Sequence, residues 1–357
     1  MSAAPKLLTP GPTPIPPTVQ AAMAQTLPHH RLPSFVATYT RMVEKLARVY
    51  RTRSDVLVFS ASGTGAFESV FANTIVPGDR VLCVSAGAFG ERWIAMAEAY
   101  GAEVVPLRFA AGEQPDPQAV AEAMLDPSLT LAVVVHSETS AGTVADIEQI
   151  AELARGRTCL LAVDCVSSLG ALPIETDAWG LDLVVSGSQK ALMCPPGLAF
   201  TSVSDAAWRR ADAVKTPRFY LDWRRTQAAQ QGGGSPFTCA IPVVLGLDVA
   251  LDLVLGEGLE AIGARVRATA GRFRARVRKH GLGLLSPDHP SCSLVTAIAV
   301  PAGVDGEALR VRVREHGYVI EGGRGATIGK VWRFGHVGYV DEADLMDGLG
   351  VLLRELA

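Results

Sequence analysis

The chain has 357 residues, with 33 Lys+Arg against 36 Asp+Glu, a formal charge of −3. A hydrophobic content of 48% with 19% charged residues excludes a mainly disordered chain, because such a composition can offset its ordering entropy by burial. Near-balanced charge excludes a general attraction for nucleic acid or an anionic membrane.

No stretch reaches about 18 uninterrupted apolar residues, so no membrane span is expected. The opening MSAAPKLLTPGPTPIPP lacks the charged-then-apolar layout of a signal peptide. The six cysteines are scattered without a C-x-x-C pair, and no Cys/His cluster has zinc-ligand spacing. The expectation is a cytoplasmic protein with reduced thiols and no metal.

In chain order, apolar runs at 56–59, 80–85, 103–109, 131–136, 159–163, 181–185 and 198–203 read as strands. Helical patterns at 66–75, 91–100, 117–124 and 147–154 lie between them. Near-continuous apolar strands separated by helices predict an α/β fold, a mostly parallel sheet covered on both faces. Ligands of such sheets sit beyond the carboxyl ends of the strands. The segment 227–236, with three consecutive glycines, reads as a flexible linker or as a loop whose backbone approaches a ligand. Beyond it, long helices at 242–255 and 259–280 lead into a smaller α+β unit. Its expected strands are 294–300, 318–321 and 331–335, and its expected helices 306–316 and 341–356. The basic runs at 265–267 and 272–279 fall at helical spacing and read as a solvated helix face. The chain therefore divides into an N-terminal segment (1–15), a large domain (16–240) and a small C-terminal domain (241–357).

Three motifs follow predicted strands. Ser62-Gly63-Thr64-Gly65 opens a helix, where small residues, hydroxyls and orphan N–H groups suit a phosphate; Ser and Thr are also ordinary helix caps. Asp164 ends an apolar run, and a buried carboxylate there needs a cation or several donors. Ser186-Gly187-Ser188-Gln189-Lys190 ends in a lysine before Pro195-Pro196-Gly197, which stops any helix. Partial desolvation of that lysine lowers its pKa and frees an amine for Schiff-base chemistry. Phosphate cradle, carboxylate and lysine together match pyridoxal 5′-phosphate: an anchor for the phosphate, a partner for the pyridine nitrogen and an amine for the aldehyde.

With Thr9-Pro10-Gly11-Pro12-Thr13, His136-Ser137-Glu138-Thr139-Ser140-Ala141-Gly142 and Gly329-Lys330-Val331-Trp332-Arg333, these motifs run through nearly the whole chain. The sequence resembles the class V, fold-type I pyridoxal phosphate enzymes of the alanine–glyoxylate and serine–glyoxylate aminotransferase group. The resemblance implies Lys190 as Schiff-base lysine and acid/base, Asp164 on the pyridine nitrogen and Val166 packed on the ring. It implies Ser62, Gly63, Thr64 and Gln189 on the phosphate, Ser140 beside the phenolic oxygen and Phe89 stacked on the ring. Arg333 would grip the substrate carboxylate, with the backbone of Gly11 near it. The resemblance further implies a homodimer with shared active sites, in which Thr238 reaches the partner's phosphate. Phe237 stands where relatives commonly carry a tyrosine, and Ala141 where many carry a threonine.

The implied reaction is ping-pong transfer from alanine or serine to glyoxylate or pyruvate. A 2-aminoethylphosphonate-type transaminase and a lyase or desulfurase remain open alternatives; the latter would require a mobile cysteine, for which Cys292 has no clear equivalence. His29, His30, Arg31 and Arg324 are candidates for the substrate entrance, while Cys194 reads as a buried small hydrophobe.

Overall fold

The computed structural model describes residues 5–357; of the expected N-terminal segment, residues 1–4 lie outside that range. A seven-stranded sheet carries the larger part of the chain. Its strands are β2 (Asp55–Phe59), β3 (Arg80–Ser85), β4 (Glu103–Arg108), β5 (Leu129–Val135), β8 (Leu160–Asp164), β9 (Leu183–Gly187) and β10 (Ala199–Val203), in the spatial order β2-β10-β9-β8-β5-β3-β4. Only β10 runs antiparallel to its neighbours. The excluded short elements are β1 (Lys6–Leu7), β6 (Ser137–Glu138) and β7 (Thr143–Val144).

Every residue of β8, β9 and β10 is buried. Side chains alternate between faces along a strand, and the two faces feed separate cores: Leu161, Val163 and Val184 pack on one side, Leu160, Ala162, Leu183 and Val185 on the other. Each such Val or Leu taken from water contributes roughly 1.5–3 kcal/mol. That double burial explains why these runs are apolar throughout.

The covering helices include α3 (Gly63–Thr74), α4 (Ala88–Ala99), α5 (Pro117–Met124) and α6 (Ile147–Leu153). Helices α1 (Pro17–Met23) and α2 (Pro33–Tyr50) pack with α9 (Ile241–Glu257), which places Val244, Leu247, Leu251 and Val254 in the large core. The next helix, α10 (Leu259–Lys279), has Ile262 and Val266 in that same core and Phe273 and Val277 in the smaller one. The change of core falls inside this helix, about a helix length beyond residue 241.

The smaller unit holds an antiparallel sheet of β11 (Val295–Ala299), β14 (Val331–Gly335) and β13 (Glu321–Gly322), covered by α11 (Gly306–Glu315) and α12 (Glu342–Leu356). The expected strand 318–321 is two pieces. Tyr318–Val319 forms β12, parallel to β1, whereas Glu321–Gly322 joins β14. Residues 227–231 of the expected linker end a helix, α8 (Trp223–Gln231), and only residues 232–236 leave helical structure. A further helix, α7 (Asp205–Ala213), lies in a stretch to which the sequence pattern assigned nothing. The basic run of α10 is not wholly solvated either: Arg274 is 4% exposed and donates to the carbonyls of Pro287, Cys292 and Val295 and to Thr296 Oγ1.

Candidate active site

The carboxyl ends of β2, β3, β5, β8 and β9 face one cavity of 240 Å³. Gly11, Ser62, Gly63, Thr64, Phe89 and Asp164 line it, as do Val166, Gln189, Lys190 and Arg333. Ten of the expected residues are thus brought together from six separate stretches of chain.

Lys190 ends a turn held from both sides. Met193 N donates to Lys190 O at 3.0 Å, and Met193 itself has φ 53, a left-handed conformation that stops a helix from continuing. Thr13 N donates to Gln189 O and Thr13 Oγ1 to Lys190 O, so the N-terminal segment clamps the turn. Lys190 Nζ donates to Pro10 O at 2.9 Å. Burial, reinforced by the charges of Arg333 and Arg324, lowers its pKa to about 8.

Asp164, 5% exposed, terminates β8. Its Oδ1 accepts from Val166 N at 3.0 Å, and it has no ion-pair partner among the described residues. Burial pushes its pKa up to about 7. A carboxyl in that state gains from a cation placed beside it.

Ser62 occupies the N-cap of α3, yet its side chain makes no capping hydrogen bond, which leaves the hydroxyl free toward the cavity. A Cβ on Gly63 would stand 2.8 Å from Val166 Cγ2, so only glycine lets this backbone approach. Gln189 Oε1 is buried without a partner. The free Ser62 hydroxyl, the Thr64 hydroxyl proton and the backbone N–H groups at the start of α3 form a cradle of donors that fits a phosphate. The lysine and the unpaired carboxyl fit the aldehyde and the pyridine nitrogen of pyridoxal phosphate.

Arg333 is 2% exposed; Nε donates to Gly322 O at 2.7 Å and Nη1 to Thr139 O at 3.0 Å. Those bonds fix the fork, and Glu321 stands 3.8 Å from Nη2. Burial lowers its pKa to about 10, so it stays charged at neutral pH.

Two expected residues lie elsewhere in this chain. Ser140 does not line the cavity: its hydroxyl donates to Glu138 Oε1 at 2.5 Å and accepts from Ala88 N at 3.0 Å, while Ser137 and Thr139 reach the wall instead. Thr238 is exposed and borders a separate small cavity with Ser60, Tyr220 and Phe237. Of the secondary candidates, Arg324 lines the main cavity, with Glu321 beside it, whereas His29, His30 and Arg31 lie outside it, His29 and Arg31 exposed. Cys194 and Cys292 are buried in the large core, and no cysteine lines the cavity among the described residues.

Two residues with a part here carried no assigned role. Glu138 accepts from Phe89 N and Gly90 N through Oε2 and from Ser140 through Oε1, fixing the start of α4, where a carboxylate complements the helix dipole. Its place in the 136–142 run was the available signal. Arg92 lines the cavity one helical turn after Phe89.

Comparison with known proteins decides the family. The aminotransferase class-V family model matches residues 7–344. The chain belongs to the class V aminotransferases. It is 34% identical to the serine–glyoxylate aminotransferase of Methylorubrum extorquens, covering 96% of this chain and 89% of that one. It is 35% identical to the soluble hydrogenase 42 kDa subunit of Anabaena cylindrica over 98% and 93%. The alanine–glyoxylate aminotransferase structure from Nostoc sp. superimposes with a TM-score of 0.94 at 32% identity, covering 100% of this chain and 96% of that one. This aminotransferase therefore has the fold-type I architecture expected from its sequence.

Proposed function

We propose that this class V aminotransferase uses pyridoxal 5′-phosphate to move an amino group from a small donor, alanine or serine, to a small 2-oxo acid, glyoxylate or pyruvate, in a ping-pong cycle. The observation that carries the reading is the convergence of Lys190 and Asp164 on one cavity with opposite shifts, an amine held at about 8 and a carboxyl at about 7. The relatives named for serine–glyoxylate and alanine–glyoxylate transfer support the substrate class.

Ser62, Gly63, Thr64 and Gln189 would hold the phosphate, Phe89 and Val166 the two faces of the ring, and Asp164 the pyridine nitrogen. When bound, the cofactor supplies an aldehyde for amine exchange and an electron-withdrawing ring. Lys190 Nζ, substantially neutral near pH 8, has the basicity to take the proton from the donor's α-carbon and to return it. Arg333 presents a fixed, planar pair of donors to the substrate carboxylate, which orients the α-carbon toward that amine. Buried Thr139 and the N-terminal Pro10-Gly11 close the walls around it.

Thr238, exposed on its own chain, would reach the phosphate of a second copy in a homodimer. Desulfurase chemistry finds no support, because no cysteine lines the cavity among the described residues. The test is to load the protein with the cofactor and add alanine, serine and 2-aminoethylphosphonate separately. Loss of the aldehyde absorption with alanine or serine, restored by glyoxylate or pyruvate, is the expected result. A response to the phosphonate alone would replace the donor class, and ammonia release from serine without reversal by the oxo acid would replace transamination by lyase chemistry.

A further inference from the structure

Three guanidiniums line the cavity, and they divide by what they face. Arg333 and Arg324 act on Lys190, at the amine end. Arg92 stands instead at the start of α3: its Nη1 donates to Thr64 Oγ1 at 3.1 Å while the guanidinium lies 4.9 Å above the Phe89 ring. It is half-buried and, among the described residues, has no carboxylate partner.

The cradle as assigned above consists of hydroxyls, a backbone and an amide, with no cation among Ser62, Gly63, Thr64 and Gln189. A phosphate monoester carries close to two negative charges near neutral pH, and withdrawing them from water without a counter-charge is costly. Arg92 is the cation placed at that end. Because the Thr64 hydroxyl accepts from Arg92, its own proton remains free to donate into the cavity.

We propose that Arg92 is a phosphate-anchoring residue, acting on the anion directly and through the Thr64 hydroxyl. The proposal deepens the pyridoxal phosphate reading and rests on it. The alternative is that Arg92 serves only as a backing plate for Phe89, and the two roles separate by ligand: phosphate anchoring affects pyridoxal 5′-phosphate alone, whereas positioning Phe89 affects any ring.

The experiment measures Kd of the cofactor-free protein for pyridoxal 5′-phosphate and for pyridoxal, by absorbance titration, in the unaltered protein, R92Q and R92K. Arg92→Gln should weaken the phosphorylated ligand roughly 10- to 100-fold, as expected for a lost charge-assisted bond, and leave pyridoxal within about twofold. Arg92→Lys keeps the charge without the fork and should fall between; it also supplies the readout if R92Q does not fold. Equal weakening of both ligands, or of neither, would overturn the proposal. Failure of the unaltered protein to bind either ligand would remove the cofactor reading itself, and the anchoring role with it.

Discussion

At the scale of single residues, Lys190 sets the pH behaviour. Its folded pKa of about 8 lies below the ordinary lysine value, so the neutral amine accumulates as pH rises through 8. The rate of cofactor capture by the cofactor-free protein should rise between pH 6.5 and 9.5 with a midpoint near 8. Arg333 is one cause of that depression, and removing its positive charge moves the midpoint upward. Arg333→Gln should therefore shift the profile to higher pH, and should raise KM for the amino acid by about 10²-fold through loss of the carboxylate grip. A midpoint unchanged in R333Q would show that the charge does not reach the lysine. Asp164 behaves in the opposite sense. Its carboxyl titrates at about 7 when folded and at about 3.9 when unfolded, so between these values the folded state binds the extra proton. Stability of the cofactor-free protein is then lost as pH rises from about 4 to 7, by at most about 4 kcal/mol. Asp164→Asn keeps an acceptor for Val166 N and removes that loss. Cofactor-free D164N should melt higher than the unaltered protein at pH 8 and equally at pH 4, while its transaminase activity falls by at least about 10³-fold; equal melting at both pH values would refute the assignment.

At the scale of elements, the glycines at turns set the tolerances. Gly11 has φ +135, and a Cβ there would come within 2.6 Å of Lys190 Cε. Gly11→Ala should displace the lysine and reduce cofactor incorporation by more than about tenfold. The absorbance of the bound aldehyde checks this directly. The strands of the large sheet were legible because burial on both faces made them apolar throughout, as in β8 and β9. Helices α7 and α8 were not: α8 is mainly polar and Arg/Gln-rich, and in α7 the buried face is marked only by Ala207, Trp208 and Ala211, too little to set a period. Residues 318–321 looked like one strand because alternation does not reveal which neighbour each half pairs with. In the site, the Ser62–Thr64 run, Asp164 and Lys190 stand at or just after strand ends and were readable from that rule, whereas Gly11, Phe89, Val166 and Arg333, the last inside β14, were reached through the family resemblance. Ser140 lies off the wall although its neighbour Thr139 lines it, because adjacent residues point to opposite sides and Glu138 holds the Ser140 hydroxyl. Arg92 escaped because a lone helical arginine looks like solvated surface.

At the scale of the whole molecule, the proposed homodimer can be tested at Thr238. It lies beside the exposed Phe219 and Tyr220, with Tyr220 stacked on Phe237 at 5.1 Å, an aromatic surface suited to a second copy. If Thr238 serves the partner's site, T238A should weaken cofactor binding, and mixing T238A with K190A should rescue it. Each mixed dimer then holds one intact site, with Lys190 from one subunit and Thr238 from the other. About a quarter of the sites should recover after equal random mixing. Absence of rescue, with mixed dimers demonstrated by mass, would place Thr238 outside the shared site.

The opening segment has a practical consequence. Lys6 and Leu7 pair with Tyr318 and Val319, Leu8 is seated in the small core, and two residues later Pro10 O receives the lysine amine. The start of the described chain thus lies only five residues ahead of the carbonyl that holds the reactive nitrogen. An affinity handle belongs at the opposite terminus, after the last turn of α12.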